Sequence, residues 1–217
     1  SDFEADYYLL FTTKNGLIKR TPVKDMLATR YSKALKATKI RKGDELVSVD
    51  ICSGSKSEVV IVTKDGYMNR YNADEISIMA PPSFGVKAIE LKSRPEDEVV
   101  LGRYVNTKDL IVLLTNRGVI KRLKATEILK GRKNNVGKAY LPANKRGVSD
   151  TVLDAIVVHK PNANINLDCY LLGTKGFAPM EYALLKSATA STGKKAPTTK
   201  VGKPKKIIVC RNNDDFI

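Results

Sequence analysis

The chain has 217 residues, room for one large domain or two small ones. It carries 38 Lys and Arg against 23 Asp and Glu, a net charge of +15, with an ordinary 42% of hydrophobic residues, so it folds around a core and is strongly basic. With a single His, His159, it lacks the imidazoles on which hydrolase triads and most zinc sites are built, and an accessory rather than catalytic role is expected.

In chain order, the first recognisable element is a hairpin, Leu9 to Arg20, in which an apolar run, Thr, two polar residues, Gly, an apolar pair and a basic pair follow one another. A short helix-like stretch (Pro22–Leu27), a basic loop (Arg30–Lys39) and a strand (Glu45–Ile51) come next. The same frame returns at Val59–Arg70, followed by Asn72–Ile76, the loop Phe84–Lys87 and a strand at Glu98–Tyr104. It returns again at Ile111–Arg122, followed by Lys124–Leu129, the loop Lys130–Lys138 and a strand at Thr151–Val158. A fourth, degenerate copy at Tyr170–Met180 has Pro179-Met180 in place of the basic pair. It leads into a Lys-, Ser- and Thr-rich stretch, 186–206, which reads as a mobile basic loop before a last strand at Ile207–Cys210.

The marker glycines Gly16, Gly66, Gly118 and Gly176 are spaced by 50, 52 and 58 residues, so one unit is used four times, with hairpins near 8–22, 58–72, 110–124 and 169–182. Asn-Gly or Asp-Gly between two apolar runs is the signal of a type I′ hairpin turn. Strands preceding each hairpin bring the unit to about four short strands, the size of a propeller blade. The expectation is a single all-β domain over 1–217, a ring of about four or five four-stranded blades that leaves no exposed sheet edge.

The charge is organised: residues 1–50 carry +3, 51–100 carry −2, 101–150 carry +9 and 151–217 carry +5. The pairs Lys19-Arg20 and Lys121-Arg122, with Arg70 keeping half of the pattern, occupy one position of the repeat, which in a ring would line one rim. Loop cations Arg30, Lys33, Arg132, Lys133 and Lys138 extend that set. Such a rim suits the phosphates of double-stranded DNA, held without base reading. With no Trp and 6% aromatics, stacking platforms for single strands are scarce. A convex basic rim would bend the duplex, the added contacts offsetting the bending cost. These ten cations, Lys19, Arg20, Arg30, Lys33, Arg70, Lys121, Arg122, Arg132, Lys133 and Lys138, are the candidate DNA contacts.

The hairpin frame, the segment Arg30 to Lys33 followed by Gly43 to Val47, and the segment Phe84 to Lys92 resemble the C-terminal β-pinwheel domain of type IIA topoisomerase A subunits, nearest to the ParC type of Gram-positive topoisomerase IV. The resemblance implies blades that exchange strands with their neighbours. It also implies a role in presenting a DNA segment to a catalytic core for decatenation and relaxation, the partners being the rest of the topoisomerase A subunit, and the B subunit through it. The Gln-Arg-Arg-Gly-Gly-Lys-Gly-like box of gyrase A domains is absent from the sequence, which favours the topoisomerase IV branch over the gyrase one. The catalytic tyrosine, the magnesium site and the ATPase of such enzymes belong to other parts, so none of the nine Tyr is assigned that role, and no cofactor or metal is expected in this domain.

The rival reading is a propeller that binds protein through its faces, which calls for mixed charge with aromatic hot spots on the loops. Cys52, Cys169 and Cys210 fit neither a disulfide framework nor a metal pair and are expected to be reduced core thiols. His159 is expected to be a plain surface residue at a strand end. No apolar run nears the roughly 18 residues of a membrane span, and the opening segment Ser1–Asp6 is acidic rather than signal-like. A cytoplasmic, nucleoid-associated protein with no membrane partner is expected.

Overall fold

A computed structural model of the chain describes residues 7–27, 34–53, 57–141, 150–159, 167–189, 191 and 193–211. The strands in chain order are β1 (Tyr7–Thr13), β2 (Leu17–Pro22), β3 (Leu46–Ser53), β4 (Glu58–Thr63), β5 (Tyr67–Asn72), β6 (Val86–Lys87), β7 (Val99–Val105) and β8 (Leu110–Thr115). They continue with β9 (Val119–Lys124), β10 (Lys138–Ala139), β11 (Val152–Val158), β12 (Leu167–Gly173), β13 (Gly176–Met180), β14 (Lys194–Lys195) and β15 (Pro204–Arg211). Two short helices, α1 (Tyr182–Ser187) and α2 (Thr198–Val201), lie between β13 and β15. The chain is all-β, and its strands form four small antiparallel sheets ordered β3-β1-β2-β6, β10-β5-β4-β7, β11-β8-β9-β14 and β13-β12-β15.

The chain divides into two compact units. The first comprises the chain up to Thr63, Tyr67–Asn106 and Leu129–Lys138; the second comprises Lys64–Gly66, Thr107–Ile128 and the chain from Ala139. In the first unit Leu10 and Ile18 of one sheet pack with Val59, Ile61 and Tyr71 of the next, sealed by Ile76 and Ile89. In the second, Val112, Leu114 and Ile120 pack with Leu171, Ala178 and Ile207, closed by Leu185 and Val201. β8 is buried along its whole length, as expected of a central strand that reads as an unbroken apolar run.

The three intact hairpins share one turn, and it is not type I′. Gly16 and Gly118 donate their N–H to the carbonyls of Thr13 and Thr115, three residues back. Gly16, Gly66 and Gly118 have positive φ (81, 79 and 71°), but Asn134 is the only non-glycine with positive φ among the described residues. The turn is therefore of the type I form followed by a left-handed Gly. The repeated Thr locks this loop closed, since Oγ1 of Thr13, Thr63 and Thr115 accepts the N–H of Leu17, Tyr67 and Val119 at 3.1, 3.1 and 3.2 Å.

Two further expectations change, the partners of the third strands and the helix-like stretches, while strand exchange holds. The strands near 46–53, 99–105 and 152–158 do not open the next blade but complete the previous one: β3 pairs with β1, β7 with β4 and β11 with β8. The fourth strand of each of the first three sheets, β6, β10 or β14, comes from beyond the next hairpin, so strands are exchanged between repeats. The helix-like stretches after the basic pairs are single 3-10 turns at Val23–Met26, Ala73–Glu75 and Ala125–Glu127. The Lys-rich stretch 186–206 carries β14 and α2, and buries Ala188, Ala196 and Val201. Its apolar residues are few but well spaced, and they suffice to dock it.

Candidate nucleic-acid interface

The basic pairs point inward. Lys19 is 1% exposed, and its Nζ donates to the Ala37 carbonyl at 2.8 Å and to Ser83 Oγ at 3.1 Å while standing 5.0 Å from the Phe11 ring. Arg20 is 6% exposed: Nε donates to the Ile76 carbonyl at 3.1 Å, Nη1 pairs with Asp74 at 3.5 Å, and the guanidinium lies over Tyr8. Arg122 Nε likewise donates to the Ala188 carbonyl. Ile76 and Ala188 are equivalent, each being the residue after the short helical turn that follows the next repeat's hairpin.

The first member of each pair is tied to the loop that delivers the exchanged strand. Lys19 holds Ser83, ahead of β6; Asn69 Nδ2 donates to the Arg132 carbonyl at 2.8 Å, ahead of β10; and Lys121, buried, lies against Gly193, ahead of β14. Arg70 is engaged by Glu58, which Lys130 also binds at 2.7 Å. Burial alone would push the Glu58 carboxyl up, but hydrogen bonds from Lys130 and Arg70 outweigh it and hold the group below its usual value. A phosphate could reach Lys19, Arg20 or Arg70 only by breaking these internal bonds, each costly to leave unmade, and Lys121 is buried. The repeat position singled out in the sequence thus carries the clasp between consecutive sheets.

The loop cations stand differently. Arg132 and Lys138 are exposed, whereas Lys133 is half-buried, its backbone N–H given to Glu75 at 2.8 Å. Arg30 and Lys33 lie outside the described residues. Further exposed cations stand outside those ten: Lys36, Lys39, Arg41, Lys42 and Lys87 in the first unit, which the sequence did not single out, and Lys194, Lys195, Lys200, Lys203, Lys205 and Lys206 in the second, within the basic stretch that it did. Lys87 lies on the exchanged strand β6 and Lys194 and Lys195 on β14, whereas Lys36 to Lys42 lie ahead of β3 and Lys205 and Lys206 on β15, so pairing is not the signal that finds them. Asn134 at φ 70° and Gly137 at φ 79° shape the loop between Arg132 and Lys138. This loop forms one wall of an open cleft of about 370 Å³ whose floor is Met68 and Asn69.

The other candidates make contacts within the fold. His159 Nδ1 lies 2.8 Å from the buried Asp109 carboxylate, which ties the end of β11 to the start of β8. Cys169 is buried, and burial first, then the neighbouring Asp168 and Cys210, push its thiol up to about 11. Cys210 is exposed, contrary to the core expectation, because it alternates outward on β15; the Cys52 side chain lies outside the described ones. Among the described residues no three His, Cys, Asp or Glu converge as a metal site would need, and no helix is long and apolar enough to cross a membrane.

Residues 7–53, 57–101 and 109–159, more than half of the chain, match the family model described as DNA gyrase C-terminal domain, beta-propeller. The A subunit of DNA topoisomerase 4 from Bacillus subtilis (strain 168) is 37% identical over 145 residues, which are 67% of this chain and 18% of that protein. The protein of the same name from Staphylococcus aureus (strain MRSA252) is 38% identical over 123 residues, 56% of this chain and 15% of its own. The chain therefore spans less than a fifth of the length of these relatives. A solved C-terminal domain of DNA topoisomerase IV superposes with a TM-score of 0.80 at 26% identity, covering 97% of this chain and 64% of that one. A DNA gyrase A C-terminal domain superposes at 0.67 with 22% identity over 90% of this chain and 61% of its own, a likeness of fold.

Proposed function

Because the chain belongs to the family of the DNA gyrase C-terminal domain, beta-propeller, we propose that it binds duplex DNA by its phosphates, with little sequence preference, and bends or wraps it as the C-terminal domain of a topoisomerase IV A subunit. The observation that carries this reading is the sorting of its cations. Those of the repeat are buried or half-buried, while Arg132 and Lys138 in one unit and the Lys194–Lys206 series in the other stand exposed. Exposed Lys and Arg without a surrounding base-reading element supply affinity through counterion release and no sequence discrimination.

In this reading the domain delivers a DNA segment to the catalytic core of its own A subunit, which meets the B subunit in the cytoplasm on the nucleoid. It contributes no cofactor, the ATP and magnesium chemistry being carried elsewhere in the enzyme. Salt-titrated binding of the chain to duplexes of unrelated sequence tests it: affinity should fall steeply and equally for all of them between low and physiological salt. Affinity that stayed flat would overturn the proposal. Closing nicked plasmid with ligase in the presence of the chain tests wrapping. A small linking-number shift fits the lack of a gyrase-type box, and a large shift of one hand would place the domain with gyrase instead.

A further inference from the structure

A single exposed aromatic is ordinary on a protein surface, but Phe84 is held out by construction. It is 41% exposed, and Lys39 Nζ and the Arg41 guanidinium both stand 5.8 Å from its ring centroid. Behind it the chain cannot retreat, because a Cβ on Gly85 would come within 2.7 Å of the Ile18 backbone nitrogen; the loop lies backbone to backbone on β2. In front, Lys39 N–H donates to the Ser83 carbonyl at 3.0 Å and Thr38 Oγ1 to the same oxygen at 3.2 Å, zipping residues 37–39 onto the loop. From beneath, Lys19 Nζ binds both Ala37 and Ser83. The result is an apolar ring on a braced platform with two cations beside it.

Proteins that kink DNA insert such apolar side chains between base steps from the minor groove, while neighbouring cations hold the flanking phosphates. We propose that Phe84 is a wedge that enters a base step of the bound duplex, with Lys39 and Arg41 gripping the phosphates beside it. This rests on the duplex-binding reading above and goes further, since cations alone account for affinity but not for a kink at a fixed point. An acidic partner protein would also meet an aromatic set among cations, but Lys36 and Lys42, exposed on the same segment as Lys39 and Arg41, make a run of one sign that matches a polyanion of even charge better than a peptide of mixed charge.

The test uses the 217-residue chain and an end-labelled duplex carrying 2-aminopurine at a central TA step, a step that unstacks readily. Wild type should shorten the end-to-end distance and raise the 2-aminopurine signal. Phe84→Ala, at an exposed site, should fold normally by circular dichroism, bind with no more than a several-fold loss, and lose both the kink and the signal; Phe84→Leu should keep them. Lys39→Ala with Arg41→Ala should weaken binding and flatten the salt dependence, yet still kink at saturation. Equal bending and fluorescence for Phe84→Ala and wild type would overturn the wedge. So would a Phe84→Ala chain unchanged on DNA but impaired in binding the rest of the subunit, which would mark the platform as a protein-docking surface. A wild-type chain with no salt-dependent duplex binding would instead refute the functional reading on which the wedge depends.

Discussion

Arg20 and Arg122 show why a basic residue in a repeat need not be a ligand contact. Each is placed by the hairpin at the point where the next repeat's short helical turn ends, and each closes the junction by giving a guanidinium proton to a main-chain carbonyl, Ile76 or Ala188. The carbonyl has no helical partner of its own there, so the bond satisfies an acceptor at the helix end as well as a cation that is buried at Arg20 and half-buried at Arg122. Arg20→Ala or Arg122→Ala is expected to cost about 1–3 kcal/mol of stability, the range for leaving a buried hydrogen-bonding group without its partner, while Arg132→Ala stays within about 0.5 kcal/mol. Urea unfolding of the three variants decides it; equal stability for all three would show the arginine clasp to be incidental. Glu58 extends the same point to pH. Its folded carboxyl lies below the usual 4.5 through its bonds to Lys130 and Arg70. The stability it contributes is therefore full above that value and is lost as pH falls through the lower folded one. Between pH 6 and 3 the wild type should lose stability more steeply than Glu58→Gln, which starts lower and has one such carboxylate fewer; identical acid profiles would remove Glu58 from the account.

At the level of elements, the basic or Asn-Arg pair and the exchanged strand go together. The three sheets whose second strand carries the pair each receive a short fourth strand, and the sheet with Pro179-Met180 in its place has three strands among the described residues. The clasp is what a two-residue strand requires, since β6 pairs with β2 through just Leu17 with Lys87 and Ile18 with Val86. Further links repeat in the same register. Asp50 accepts the Tyr104 N–H at 3.0 Å and Asp154 the Ile207 N–H at 2.8 Å, so an Asp on the last full strand of one sheet binds the backbone of the corresponding strand in the next. Gly85→Val should pry β6 from β2, because its side chain would overlap the Ile18 backbone. A loss of about 1–3 kcal/mol, the usual cost of overpacking, is expected, with faster amide exchange at Ala88, whose N–H bonds the Gly16 carbonyl at 2.8 Å. Unchanged exchange there would show that β6 docks without the close approach. The sequence made the hairpins and the third strands legible within one or two residues, because apolar runs and Asn-Gly or Asp-Gly turns are local signals. Which hairpin each third strand joins, and the two-residue strands themselves, were not legible. Val86-Lys87 and Lys194-Lys195 have too little length to show a period, and their partner is some 70 residues away in sequence.

Across the whole chain, net charge by block was a fair guide to where cations are numerous and a poor guide to which of them face solvent. Lys and Arg look alike in a sequence whether they clasp a carbonyl or meet water, and only burial separates Lys121 from Lys124 on one strand. The contrast sets up a binding experiment in which stability and affinity move independently. Arg132→Ala with Lys138→Ala in the first unit, and Lys203→Ala with Lys205→Ala and Lys206→Ala in the second, remove exposed charge and leave every clasp described above intact. Each set should weaken duplex binding for all sequences alike and lower the slope of log affinity against log salt by roughly one for each phosphate no longer neutralised. Arg70→Ala should do the opposite, costing stability by depriving Glu58 of one of its two cations while leaving the salt slope of the folded protein nearly unchanged. Glu58 already neutralises Arg70 inside the fold, and help from charges beyond about 10 Å is screened at 0.1 M salt. The comparison is made at a temperature where circular dichroism shows every variant folded. If Arg70→Ala then flattened the slope as much as Arg132→Ala with Lys138→Ala, DNA would have to reach the clasps themselves, and the division between internal and external cations drawn from burial would fail.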